Sequence, residues 1–158
     1  MTEKYYKRVF AKKVDYKEIQ FNSKLEADFA MFLDGKIINY KGHNYYHKPI
    51  KWDYEKIVFE LIPQETWVDK TERDNTVKVL VRNKKHTLQR VIYTPDFYLP
   101  EYNLIVEIKG YQFDDDLFRL RFRLFRHKFP KAKIWVVRSH EDFERLDEVL
   151  ENLKIEGE

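Results

Sequence analysis

Two carboxylates and a lysine within residues 93–109, Asp96, Glu107 and Lys109, have types and spacing that could do chemistry together. Strand-like runs flank Pro100-Glu101-Tyr102-Asn103, a short turn marked by Pro and Asn. If the hairpin closes on that loop, Leu99 faces Leu104, and counting back sets Asp96 opposite Glu107. Strand side chains alternate, so Lys109 falls two residues farther along the Glu107 face. Residues directly opposite have Cβ atoms about 5 Å apart, and like charges there destabilise the pair. Such a pair needs compensating positive charge. Lys109 supplies part of it, and a divalent cation would supply the rest. Hard cations such as Mg²⁺ are held by one or two carboxylates together with phosphate oxygens of a substrate. The chemistry this points to is metal-assisted phosphodiester hydrolysis. That reaction needs an activated water in line with phosphorus and charge stabilisation on the phosphate oxygens.

The elements that must position these groups follow from periodicity. Leu104, Val106 and Ile108 alternate with Ile105, Glu107 and Lys109, and Gly110 ends that strand. Residues 21–35 read as a short helix, with Ser23 as N-cap and Leu25, Phe29, Phe32 and Leu33 at helical spacing. Asp34-Gly35 closes it. Glu26 stands three residues after Ser23, completing a capping box, which gives this carboxylate a structural role of its own. The hairpin downstream makes Glu26 a candidate third carboxylate as well.

Residues 114–129 read as a second helix opened by Asp114-Asp115-Asp116, charges that suit a helix N-terminus. Phe118, Phe122, Phe125 and Phe129 form one apolar stripe, and Leu117, Leu120 and Leu124 form another. Arg121 projects between them, either snorkelling or aimed at a site. Arg119, Arg123 and Arg126 share an outer face suited to solvent or to phosphate. Residues 133–137 read as a short buried strand. Ser139 caps a final acidic helix in which Phe143, Leu146, Val149 and Leu150 keep helical spacing. From Val91 onward the order is strand, strand, helix, strand, helix. The expected fold is α/β, a mixed central β-sheet flanked by helices.

At 158 residues the chain is expected to form one domain with its own core. A composition 43% hydrophobic and 16% aromatic excludes a disordered chain. The absence of cysteine excludes disulfides, thiolate zinc sites and thiol catalysis. No apolar run nears the roughly 20 residues of a membrane helix, and the N-terminus is too polar for a signal peptide. A soluble, cytoplasmic protein with no membrane partner is therefore expected. The net charge of +3 is unevenly spread: residues 139–158 hold eight acidic side chains against Arg145 and Lys154, leaving 28 basic and 19 acidic residues in 1–138. A basic body suits a polyanionic partner.

Residues 1–20, with Lys4, Lys7, Arg8, Lys12 and Lys13, read as a basic N-terminal arm. Within 36–92, a variable β-rich segment, residues 37–40, 57–62, 77–81 and 91–92 are strand candidates. Tyr45, Tyr46, Trp52 and Tyr54 lie there among His43, His47, Lys48 and Lys51. Such aromatics can stack on bases or pair across strands. His43 and His47 have no obvious third ligand, so a zinc site is not expected.

Taken in order, Phe21-Asn22-Ser23-Lys24-Leu25-Glu26, Tyr93-Thr94-Pro95-Asp96-Phe97, Leu99-Pro100 and Glu107-Ile108-Lys109-Gly110 resemble the phage endonuclease I family of four-way-junction resolvases. That family belongs to the PD-(D/E)XK nuclease superfamily. The resemblance covers roughly residues 21–35 and 91–139. It implies a restriction-endonuclease-like core and an Mg²⁺-dependent DNA endonuclease of phage type, with Mn²⁺ able to substitute, acting in a host cytoplasm. It also implies metal-binding roles for Asp96, Glu107 and Glu26, with Lys109 beside the attacking water. Asp96 and Glu107 would hold a first ion, and Glu26 would complete a shared or second site. Symmetric cutting of a Holliday junction implies a twofold homodimer. Arg119, Arg121 and Arg123 are the candidate nucleic-acid contacts. The chain departs from the family in a longer stretch between Glu26 and Asp96 and in an acidic C-terminus. A sequence-specific or nicking nuclease on linear duplex, and a non-catalytic nucleic-acid-binding module, are the competing expectations.

Overall fold

The computed structural model describes residues 12–68, 85–110 and 116–155. The strand expected at 77–81, the arm residues Lys4, Lys7 and Arg8, and the helix opening at Asp114-Asp115 lie outside them. In chain order the elements are β1 (Val14–Tyr16), β2 (Ile19–Phe21), α1 (Lys24–Leu33), β3 (Ile38–Tyr40), β4 (His43–Tyr45) and β5 (Asp53–Tyr54). There follow β6 (Phe59–Ile62), β7 (Glu65–Val68), β8 (Lys85–Leu88), β9 (Val91–Tyr93), β10 (Phe97–Leu99) and β11 (Leu104–Ile108). The chain ends with α2 (Asp116–Lys128), β12 (Lys133–Val137) and α3 (Leu146–Ile155). The fold is mixed α/β, with helices among several small sheets, one of them mixed. Two compact units result, one from β1–β5, α1, β10–β12 and α3, the other from β6–β9 and α2.

The first unit is built on a four-stranded sheet in the order β12-β11-β10-β5. β11 runs parallel to β12 and antiparallel to β10, which is antiparallel to β5. Flanked on both edges, β11 is buried along its whole length, as its Leu-Ile-Val-Glu-Ile run suggests. α1 starts at Ser23, whose extended backbone and side-chain hydroxyl cap the first turn, and it ends at Asp34 before Gly35 turns left-handed. Its Phe29 ring packs on Phe97 and Trp135, with centroids 5.2 and 5.9 Å away. Phe143 closes the other side against Phe29 and Phe32.

Four elements differ from expectation. Residues 14–21 form an antiparallel hairpin against α1 rather than part of an arm. Lys17 and Glu18 both have positive φ at its turn, the conformation usually signalled by Asn-Gly, so this sequence hides it. Residues 91–99 are two strands, not one: β9 pairs with β6, while β10 begins only at Phe97, after Pro95, and pairs with β11 and β5. β12 is an edge strand with only Val137 buried, not a buried one. The terminal helix begins as a 3₁₀ turn at His140–Arg145, with Ser139 and Asp142 forming its capping box, and α3 continues from Leu146.

In the second unit, β6 pairs with β9 and β7 with β8. The α2 phenylalanine stripe packs there: Phe125 is fully buried, 4.7 Å from Phe59 and 4.8 Å from Tyr93. The leucine stripe stays open, with Leu117 and Leu120 more than half exposed. Among the described residues no helix is long and apolar enough to cross a membrane.

Candidate metal and nuclease site

Glu26 is placed by the start of α1. Ser23 Oγ accepts the Glu26 N–H at 3.2 Å, and Glu26 Oε1 accepts the Ser23 hydroxyl at 3.0 Å. Oε2 accepts the backbone N–H of Asn22 at 3.2 Å, so the return bond of the box lands one residue before the N-cap. Oε2 also accepts the Tyr54 hydroxyl at 2.7 Å. The side chain is buried, and every bond it makes is to a neutral donor.

The hairpin places the other two carboxylates. Its ladder runs Leu99↔Leu104, Tyr98↔Ile105 and Phe97↔Val106, the register the loop length predicts, with Asp96 one residue before its first pair and Glu107 one residue after. Pro100–Tyr102 makes a 3₁₀ turn, and Asn103 takes the left-handed conformation that Asn tolerates better than most residues. Asp96 Oδ2 accepts the Ile108 N–H at 2.7 Å, binding the carboxylate to the strand that bears Glu107. Glu107 is 3% exposed, and Lys109 Nζ lies 3.5 Å from its Oε1. Lys109 is itself anchored, its N–H donating to Val137 O at 2.8 Å beyond the β11–β12 ladder.

The electrostatics bind these groups into one neighbourhood. Asp96 keeps some surface in solvent, yet protein atoms crowd its carboxyl closely enough to desolvate it. Burial, then the negative charge of Glu107, then that of Glu26, push its pKa well above the ordinary carboxylate range. The Ile108 N–H and the Lys109 ammonium pull the other way and do not balance them. Burial and like charge together therefore disfavour an ionised Asp96.

This donor set fits a hard cation that takes few protein ligands. Among the described residues no group of three or more His, Asp or Glu side chains closes into a ready cage. Mg²⁺ does not need one, since one or two carboxylates, waters and substrate oxygens satisfy it. Each carboxylate oxygen has two lone pairs. On Glu26, Asn22 and Tyr54 use both on Oε2, leaving one on Oε1. On Asp96, the Ile108 bond occupies Oδ2 and leaves Oδ1.

The other candidates sort differently. Arg119, Arg121 and Arg123 are exposed on α2, in the unit that does not carry the carboxylates. His43 and His47 are each paired to a carboxylate near the C-terminus, Glu144 and Asp147. Tyr45 and Trp52 belong to the aromatic core. Sequence reasoning gave Tyr54 and Asn22 no bond to Glu26. Tyr54 lies in the two-residue strand β5, too short for any periodicity to mark, and Glu55 breaks it with a φ of 46°. The chain matches no known family model, no curated protein and no solved structure.

Proposed function

We propose that this chain is a divalent-metal-dependent DNA endonuclease with a restriction-endonuclease-like core, cutting four-way junctions as a homodimer. The observation that carries this reading is the desolvated Asp96 carboxyl, raised further by Glu107 and Glu26, with the Lys109 ammonium 3.5 Å from Glu107. Carboxylates so arranged are costly in a protein that only binds DNA, whose phosphates would add to the repulsion. They become favourable once a cation joins them. A bound Mg²⁺ would activate water and neutralise developing charge on the phosphate. Asp96 and Glu107 would hold it as anionic ligands, and Glu26, whose Oε1 keeps a lone pair, would complete the site. Lys109 stands at Glu107, where its ammonium can steady the attacking water or a phosphate oxygen. The ordered motifs, Glu26 through Lys109, support the junction substrate, and two symmetric cuts call for two sites related by a twofold axis.

The test is cleavage of a labelled four-way junction beside linear duplex of the same sequence, in Mg²⁺ and in EDTA, for wild type and Asp96→Asn. Paired nicks in the junction alone, lost in EDTA and in the variant, are expected. Cutting of linear duplex at defined sequences would keep the site and change the substrate. No cleavage in either Mg²⁺ or Mn²⁺ would overturn the reading.

A further inference from the structure

Tyr54 makes a contact that nothing in the motif pattern requires. Its hydroxyl donates to Glu26 Oε2 at 2.7 Å, the shortest of the bonds on that carboxylate. Its ring is fixed edge-on against Phe21 at 4.6 Å and Phe97 at 5.3 Å, so the hydroxyl has little freedom to point elsewhere. Asn22 Nδ2 donates to the same hydroxyl oxygen and to Glu55 Oε1, both at 3.2 Å. One residue on, the Glu55 N–H donates to the backbone oxygen of Asp96 at 2.9 Å. β5 therefore grips both carboxylate-bearing segments at once, Glu26 by a side chain and Asp96 by the backbone. Glu55 holds a left-handed φ to do so, a conformation that costs energy in a residue other than Gly and persists only where its surroundings hold it.

We infer that Tyr54 is a positioning residue for the cation site: it occupies Glu26 Oε2 and so leaves Oε1 as the oxygen available to an ion. This role presupposes the metal site proposed above. A carboxylate free to rotate offers either oxygen and must be ordered when the ion binds. One already held by Asn22 N–H, Ser23 Oγ–H and Tyr54 O–H offers a single oriented lone pair. Neutral donors suit this task, because they fix the group without cancelling the charge a cation needs. The effect belongs to the class of outer hydrogen bonds that orient metal ligands, whose loss typically weakens metal affinity about 10–100-fold.

The experiment is Tyr54→Phe, which keeps the ring and deletes only the hydroxyl. Tyr98→Phe serves as control, since among the described residues the Tyr98 hydroxyl bonds only the turn residue Asn103. Calorimetric titration with Mn²⁺ and melting of the metal-free proteins in EDTA are measured for wild type and both variants. The expected result is Mn²⁺ affinity weakened about tenfold or more in Tyr54→Phe and unchanged in Tyr98→Phe. Wild-type Mn²⁺ affinity in Tyr54→Phe overturns this inference alone. A wild type that binds no Mn²⁺ overturns the metal-site reading and this inference with it. A Tyr54→Phe that melts early in EDTA and regains wild-type affinity below its transition also overturns it, because the hydroxyl then serves only the fold.

Discussion

At the scale of single residues, the raised Asp96 carboxyl has a consequence for the metal-free protein. Its folded pKa lies above the value in the unfolded chain, so folding takes up a proton in the range between the two. Stability then falls as pH rises from about 4 through the folded pKa, because there the native state binds more protons than the unfolded one. Asp96→Asn removes the charge while its amide oxygen can still accept the Ile108 N–H. In EDTA at neutral pH the variant should melt a few degrees higher than wild type, the scale of about 1 kcal/mol in a chain of this size. Its melting temperature should also vary less between about pH 4 and 8. In saturating Mg²⁺ the order should reverse, because only wild type gains from the ion. A variant less stable in EDTA at every pH would mean that Asp96 is a structural carboxylate and that its repulsion from Glu107 is compensated within the fold. The hairpin register that leads to Asp96 and Glu107 was legible in advance because a short loop and a two-residue period leave one register open. Tyr54 was not, because its role depends on which strand lies beside β10, and nothing local to residues 53–55 encodes that.

At the scale of elements, Asp34 ties three segments together. As the C-cap of α1 it accepts the Tyr16 hydroxyl at 2.6 Å from β1, the Trp52 indole N–H at 2.9 Å, and the Lys17 ammonium at 2.7 Å from the hairpin turn. Burial alone would raise the Asp34 pKa, but the bonds from Lys17, Tyr16 and Trp52 outweigh it and hold the value low. Burial first, then the bond to Asp34, pushes the Tyr16 phenol up to about 12. The signs are opposite. The Asp34 contribution is complete above the ordinary carboxylate range and is lost as pH falls through the lowered folded value. The Tyr16 contribution is complete below about 10 and is lost as pH rises from there to about 12. Asp34→Asn should cost on the order of 1–3 kcal/mol at pH 7 in urea unfolding, as expected for weakened charge-assisted bonds. It should also let Tyr16 titrate closer to its ordinary value in a pH series of NMR spectra. A Tyr16 unmoved by the substitution would assign its shift to burial alone. The hairpin that supplies two of these donors escaped the sequence, since Lys17-Glu18 carries none of the usual turn chemistry. α1 and β11 did not escape, since a cap or a flanking turn marks their ends and apolar period marks their length.

At the scale of the whole molecule, charge pattern was legible and the division into two units was not, because the second unit is assembled from stretches far apart in the chain, 57–94 and 114–131. Its α2 shows why the amphipathic pattern there was only half informative. The phenylalanine face is packed, while the exposed remainder mixes Leu117 and Leu120 with Arg119, Arg121 and Arg123. Arginines on an exposed helix are commonly just solvated. If DNA is the partner, they are also the densest cationic feature among the described residues outside the carboxylate unit. The two cases separate by salt. Each phosphate neutralised on B-form DNA adds about 0.9 to the slope of log affinity against log salt concentration. Binding of a four-way junction, measured in EDTA between about 50 and 200 mM KCl so that no cutting occurs, should show a steep slope for wild type. Changing Arg119, Arg121 and Arg123 together to Ala should flatten it by about 2 to 3 if each holds a phosphate. The Mn²⁺ affinity of the same triple variant should equal that of wild type, since the carboxylates lie in the other unit. An unchanged slope would remove α2 from the DNA surface and return these arginines to solvent. It would also leave the basic excess of residues 1–138 to be placed elsewhere on the chain. A flattened slope together with weakened Mn²⁺ binding would mean that the substitutions disturb the fold rather than remove phosphate contacts alone.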